Sequence, residues 1–273
     1  MPHPLEGVRV LSVEQYGAGP FGSMWLADQG AEVIKIEQPG VGDFARDLGP
    51  YWFDNGESQW FHAYNRNKKS LTLNLGCDEG RDIFLDLVRS ADVVVSNLRG
   101  DVPSSLGLTY DDLRIVNRKI VCAHLSAYGR EGSRRSWPGF DYLMQAETGW
   151  FSLTGDPDHE PTRFGLSVVD QMTGLALAYA ALCGVIRARE TGDGGDLDVS
   201  LFDVALSNLA YPAMWYLNSG HLQKRLARSA HPSLTPCQLY KTADGWIYIM
   251  CNKEKFWSAL TEAIGHPEWS KDP

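Results

Sequence analysis

What the chain lacks narrows it first. Its five cysteines (Cys77, Cys122, Cys183, Cys237 and Cys251) are odd in number, scattered, and never spaced as Cys-x-x-Cys. That speaks against a disulfide framework or a zinc site and for reduced thiols. The seven histidines include no His-x-x-His or His-Glu-x-x-His spacing, so no metal site is expected. Basic residues number 25 against 34 acidic ones, for a net charge of −9, and they form no long cluster, Arg130, Arg134 and Arg135 being loosely spaced. Neither nucleic acid nor a membrane surface is therefore an expected partner. The start has no basic segment followed by an apolar one, and the longest apolar run, residues 175–186, is too short to span a bilayer. Internal repeats and low-complexity stretches are also missing. A soluble, cytoplasmic protein is expected.

What is present reads as an ordinary globular composition, 44% apolar and 22% charged over 273 residues. The first half alternates strand and helix signals. Residues 8–13, 31–37, 91–96 and 119–125 are short β-branched runs, and Leu71, Leu73 and Leu75 alternate with polar residues. Helices are expected over 20–29, 78–89, 109–117 and, nearly all apolar, 169–189. Residues 196–200 suit one more strand, followed by a helix over 201–217. Strands separated by helices predict an α/β, Rossmann-like, doubly wound parallel sheet. Beyond Pro232 the composition changes. Residues 238–240 and 246–250 flank Asp244-Gly245 as a hairpin, and a helix follows over 253–264. The expected organisation is a large domain over 1–206, a linker over 207–231 and the start of a smaller α+β domain over 232–273. One hairpin and one helix make too little core to stand alone, so this last part is expected to be a domain cut short or completed by another chain.

Four segments carry candidate chemistry, each with a plainer reading beside it. Gly17, Gly19 and Gly22 form Gly-x-Gly-x-x-Gly between a strand and a helix, with Glu37 ending the next strand, as in dinucleotide-binding proteins. Three residues separate the strand from Gly17, however, and Pro20 removes an amide from the helix start, so close helix packing explains the glycines equally. Asp170 follows Val168-Val169 at the head of the apolar helix. It reads either as an N-cap or as a nucleophile kept ionised by the helix dipole and nearby amides. Asn65 to Ser70 is a basic turn at the mouth of a strand, either solvated or set beside a phosphorylated ligand, and Asn97 to Gly100 either lies where open α/β sheets bind ligands or is an ordinary strand-to-helix turn.

Together the segments resemble the family III CoA-transferases, the CaiB/BaiF type. The similarity lies in Pro4 to Leu11, Gly19-Pro20, Asp28 to Glu37, Pro39 to Asp43 with Arg46, Asn65 to Ser70, Ala91 to Asn97, Leu106 to Leu108, Pro138 to Asp141 with Gln145-Ala146, Thr191-Gly192 and Asp198 to Ala205. The resemblance covers nearly the whole chain, while chains of that family continue further.

The resemblance implies that Asp170 is the nucleophile and that coenzyme A contacts Tyr16, Gly17, Gln38, Leu73, Asn74, Leu75, Gly76, Asn97, Leu98, Arg99, Pro138, Gly139, Phe140 and Asp141. Gln38 stands where many relatives carry arginine, and Ser105 where some do, so Arg99 and Lys69 are the expected substitutes for holding phosphate. It further implies transfer of CoA between carboxylic acids through an aspartyl anhydride and an aspartyl-CoA thioester. Acyl-CoA and a carboxylic acid are the substrates, with no tightly bound cofactor and an interlocked homodimer. The racemase branch of the family carries a histidine where this chain has Phe140, and phenylalanine cannot carry a proton. Transferase is the favoured reading; the alternatives are a racemase, a non-catalytic or weakly active shortened member, and a nicotinamide-dependent oxidoreductase.

Overall fold

The computed structural model describes residues 3–271. The chain divides into two compact units, Met1–Thr148 with Gly165–Asn208, and Gly149–Phe164 with Leu209–Pro273.

The first unit is built on six parallel strands: β1 (Arg9–Val13), β2 (Glu32–Glu37), β3 (Lys68–Thr72), β4 (Val93–Ser96), β5 (Val121–Ser126) and β6 (Gly195–Ser200). Their order is β3-β2-β1-β4-β5-β6, with the reversal beside β1 that defines a doubly wound sheet. The helices in chain order are α1 (Ala18–Asp28), α2 (Gln59–Asn65), α3 (Asp78–Val88), the short α4 (Val102–Ser105) and α5 (Tyr110–Leu113), α6 (Asp141–Glu147), α7 (Val168–Thr191) and α8 (Leu201–Ser207).

Strand alternation divides the core between two faces. Val10, Val93, Val95, Val121 and Ala123 pack under α1 and α7, while Leu11, Val94 and Cys122 pack with Phe84 and Val88 of α3. Both faces being covered explains why these strands read as continuous apolar runs rather than as alternating ones. The helix α7 is long and apolar enough to cross a membrane by length and composition. Here it lies against α1, β5 and β6. Gly22 and Gly174 make the α1–α7 approach possible: a Cβ on Gly22 would stand 2.4 Å from the Gly174 carbonyl oxygen.

Two elements differ from expectation. The strand expected over Leu71 to Leu75 pairs instead over Lys68–Thr72, in register with Val33–Glu37 of β2. Leu71, Leu73 and Leu75 do turn into the α3-side core, but the ladder begins earlier because the Lys68 ammonium is taken into the interior by Glu14, at 2.9 Å. Within Asn65 to Ser70, Arg66 and Asn67 form the turn, with Asn67 at φ +63°, and Lys68 to Ser70 open the strand that follows it. The helix expected over 201–217 is two helices. Asn208 turns its amide onto the Val204 carbonyl at 2.8 Å, and Ala210 takes a φ of +45°.

The second unit contains α9 (Ala210–Ser219), an antiparallel hairpin of β7 (Cys237–Lys241) and β8 (Trp246–Met250), and α10 (Glu254–Ala263). Thr242 N–H closes the hairpin on the Gly245 carbonyl at 2.9 Å, where Asp244-Gly245 marks the turn.

Candidate active site

The C-terminal ends of β1, β2, β4 and β5 converge with the head of α7. Two cavities open there and meet at Gln15 and Leu98. The first, about 350 Å³, is lined by Gln38, Leu73, Asn74, Leu75, Gly76 and Leu98 together with Ile36 and Leu106. The second, about 550 Å³, holds Tyr16, Gly17, Asn97, Arg99, Pro138, Gly139, Phe140 and Asp170. Residues scattered over 16–170 in sequence are therefore brought to one edge of the sheet. Asp141 is different: it is 3% exposed and lines neither cavity.

Asp170 is the third residue of α7, not its N-cap, which is Ser167. Gly17 closes on it, since a Cβ there would stand 2.8 Å from Asp170 Oδ2. From behind, Asp141 Oδ2 accepts the Asp170 backbone N–H at 2.9 Å, and Asp141 Oδ1 takes the Gln145 amide at 2.5 Å. Burial and the Asp141 charge push the Asp170 carboxyl up to about 7. The expectation of a carboxylate lowered by the helix dipole is overturned: loss of solvent and a second carboxylate prevail over the helix end.

An aromatic wall flanks this carboxylate. The Tyr16 ring lies 5.8 Å from Phe140, edge-on, and 6.0 Å from Trp60, which lies 5.8 Å from Tyr64. Burial and the nearby Asp170 charge raise the Tyr64 phenol. Phe44, Leu48 and Trp137 complete an apolar lining that sequence reading did not assign.

The glycine motif serves packing. A Cβ on Gly19 would meet Asn97 at 2.6 Å and one on Gly22 would meet Gly174, so these positions face protein rather than a phosphate cradle. The expected cations fare unevenly. Lys69 is tied to Glu32 at 2.6 Å, at the opposite end of the strands, and Arg66 to Asp28 at 2.5 Å, so neither reaches the cavities. Arg99 lines the second cavity and is held by Asp101 at 2.6 and 2.8 Å.

A serine–histidine–aspartate series elsewhere has hydrolase-like spacing: Ser96 Oγ to His124 Nδ1 at 2.8 Å, and His124 Nε2 to Asp196 Oδ1 at 3.0 Å. Ser96 is wholly buried, so the series ties β4, β5 and β6 together and presents no nucleophile. Among the described residues no cluster of metal-ligating side chains is found.

Sequence reading also missed a buried charged group beneath the loop, formed by Glu14, Lys35, Asp43 and Lys68. Its signal was a lysine in the middle of the apolar run Ala31 to Glu37.

A profile of CoA-transferase family III matches residues 5–273. The chain is 35% identical to a succinate–glutarate CoA-transferase of Agrobacterium fabrum over 267 residues, covering 96% of this chain and 66% of the relative. It is 36% identical to an acetyl-CoA:oxalate CoA-transferase of Acetobacter aceti over 271 residues, covering 99% of this chain and 69% of the relative. The chain thus spans about two thirds of the length of these relatives. The crystal structure of a CaiB/BaiF family protein from Brucella suis superposes with a TM-score of 0.87 at 35% identity, covering 100% of this chain and 72% of that one.

Proposed function

Because this chain belongs to CoA-transferase family III, we propose that it moves coenzyme A from one carboxylic acid to another with Asp170 as the nucleophile. The observation that carries the reading is the position of the Asp170 carboxylate. It lies in a cleft that joins a second cavity at Gln15 and Leu98, so a nucleotide and its thioester arm have adjoining places.

The steps balance around one carboxylate. An Asp170 oxygen attacks the donor thioester carbonyl, and the CoA thiolate leaves, giving a mixed anhydride. The thiolate then attacks the Asp170 carbonyl and expels the donor acid, leaving CoA on the aspartate as a thioester. The acceptor carboxylate attacks that carbonyl, releases the thiolate and forms a second anhydride. Attack of the thiolate on the acceptor carbonyl gives the new acyl-CoA and restores Asp170. Each tetrahedral oxyanion needs donors, typically worth roughly 3 kcal/mol apiece. In the first turn of α1, Pro20 has no N–H and Phe21 N–H is bound to the Gly17 carbonyl, so the Ala18 and Gly19 amides are the candidates for that role.

Transfer is favoured over racemisation because Phe140, the position at issue, packs on Tyr16 and carries no proton. Acyl-CoA is taken as a substrate, drawn from a cytoplasmic pool, rather than held as a cofactor. A homodimer is supported by exposed apolar residues on α7, with Tyr179 at 72% and Ile186 at 59%.

The test is the intact mass of the protein after incubation with succinyl-CoA or acetyl-CoA, beside Asp170→Ala. A CoA-sized adduct that hydroxylamine removes, and that the variant does not form, supports the reading. CoA binding with no adduct removes the transferase, and no CoA binding removes the whole proposal. Glutarate and oxalate are the first acceptors to supply, because the relatives named above act on them.

A further inference from the structure

Between β1 and α1 the chain turns through Gln15 to Gly17, and its backbone is held there by side chains. The Glu14 carbonyl accepts from Lys35 Nζ at 3.0 Å. Gln15 N–H donates to Asn97 Oδ1 at 2.8 Å, and the Gln15 carbonyl accepts from Asn97 Nδ2 at 2.6 Å. Tyr16 N–H donates to Asp43 Oδ1 at 2.9 Å. Four consecutive backbone groups are thus fixed by three residues from other parts of the sheet edge.

The turn needs such a hold. Tyr16 stands at φ +75°, a left-handed conformation that a bulky side chain disfavours and keeps only where its surroundings impose it. The next residue, Gly17, is the one that closes on Asp170.

Lys35 and Asp43 are each 1% exposed and pair with one another at 2.8 Å. Asp43 is anchored in turn, its N–H donating to Glu37 Oε2 at 3.0 Å and its Oδ1 accepting from Ala45 N–H at 2.8 Å. Replacing such a buried pair with apolar residues is often neutral or favourable for stability, so the pair is poorly explained as a stabilising device. Its contacts explain it better, since each partner grips one end of the segment Glu14 to Tyr16.

We propose that Lys35 and Asp43 are positioning residues that hold the Tyr16–Gly17 turn against the Asp170 carboxylate. The inference rests on the reading of Asp170 as nucleophile. The pair stays out of the chemistry, and it sets the turn before substrate arrives, so that the nucleophile and the start of α1 are already aligned. A shift of about 1 Å in such an alignment costs on the order of 100-fold in rate.

The full chain is tested as Asp43→Asn, as Lys35→Met, and as the double variant, which leaves no unpaired buried charge. Three quantities are read: thermal midpoint, CoA affinity, and the single-turnover rate of the hydroxylamine-sensitive adduct. In the double variant the thermal midpoint is expected to lie close to wild type and CoA affinity within about threefold, with the adduct rate down about 10- to 100-fold. Lys35→Arg, which keeps the pair, is expected to recover part of that rate. A double variant that is stable and reacts at the wild-type rate would overturn the proposal and leave the pair a purely structural feature. If the double variant does not fold, Lys35→Met, which frees the Glu14 carbonyl while Glu14 stays paired with Lys68, decides by the same rate, and unchanged adduct formation there overturns it equally. Absence of an adduct on the wild-type protein removes the nucleophile reading and this inference with it, an outcome separable from the others.

Discussion

Asp141 holds Asp170 by its backbone: the carboxylate at the head of α6 accepts the Asp170 N–H at 2.9 Å while being 3% exposed. One acid therefore caps the helix that presents the other. The same contact places two carboxylates close together away from solvent, and this, with burial, brings the Asp170 carboxyl to about 7. Asp141 thus sets the position of Asp170 and adds to the effect of burial, the larger cause, on its proton affinity.

Asp141→Asn separates the two effects. Its side-chain oxygen can still accept the Asp170 amide, but the negative charge is gone, so Asp170 is expected to ionise at lower pH. The midpoint of the pH–rate profile for adduct formation should fall by about one unit or less, with little loss of stability. Asp141→Ala removes the acceptor as well, leaves a buried amide unsatisfied and should cost about 1–3 kcal/mol in denaturant unfolding.

Reaction rate and stability should run in opposite directions with pH. The reactive form of Asp170 is ionised, so single-turnover rate is expected to rise through about pH 7. In the unfolded chain this carboxyl titrates near its ordinary 3.8. Between those values the folded protein holds the extra proton, so stability from this group falls as pH rises from 4 to 7 and then levels off. Asp170→Asn removes the cost and should be more stable than wild type at pH 8 by on the order of 2 kcal/mol, with no such gain near pH 4. A difference independent of pH would refute this account.

Much of the fold could be read from the residues, because parallel strands covered on both faces leave continuous apolar runs such as Val93 to Val95. The Asp170 position came from family resemblance, not from local pattern. Its environment could not be read at all, since Asp141 lies 29 residues away and local pattern offers only the helix dipole, which points the other way. The basic stretch Asn65 to Ser70 misled for a related reason. Whether Lys68 meets a phosphate or a buried Glu14 depends on a contact 54 residues apart. The mid-strand Lys35 was visible, yet its partner Asp43 sits in a glycine-bearing loop with no local mark of burial.

Two glycines of one motif should fail differently. A Cβ at Gly22 meets the rigid Gly174 backbone at 2.4 Å, so Gly22→Ala is expected to push α1 from α7 and destabilise by about 1–3 kcal/mol. A Cβ at Gly17 meets the end of the Asp170 side chain at 2.8 Å, which can swing away. Gly17→Ala should therefore keep most of its thermal stability while losing adduct formation by about 100-fold. Thermal unfolding and adduct rate, measured on both variants, distinguish the two cases.

Arg99 poses the last question, because among the described residues it is the cation that lines these cavities, and Asp101 already holds it bidentately. The pair is exposed, with side chains at 47% and 32%, so water and salt weaken it and a phosphate can compete. A phosphate brings more charge and more acceptor oxygens than the carboxylate it displaces. Arg99→Ala is therefore expected to weaken CoA binding by about three- to tenfold at low salt, whereas Asp101→Asn, which frees the guanidinium, should tighten it by about two- to threefold. Both effects should shrink toward 1 M salt, where the Debye length is about 3 Å. Calorimetric titration with CoA at two ionic strengths measures all of this. If Asp101→Asn weakened binding instead, Asp101 would be orienting Arg99 for the phosphate rather than competing with it.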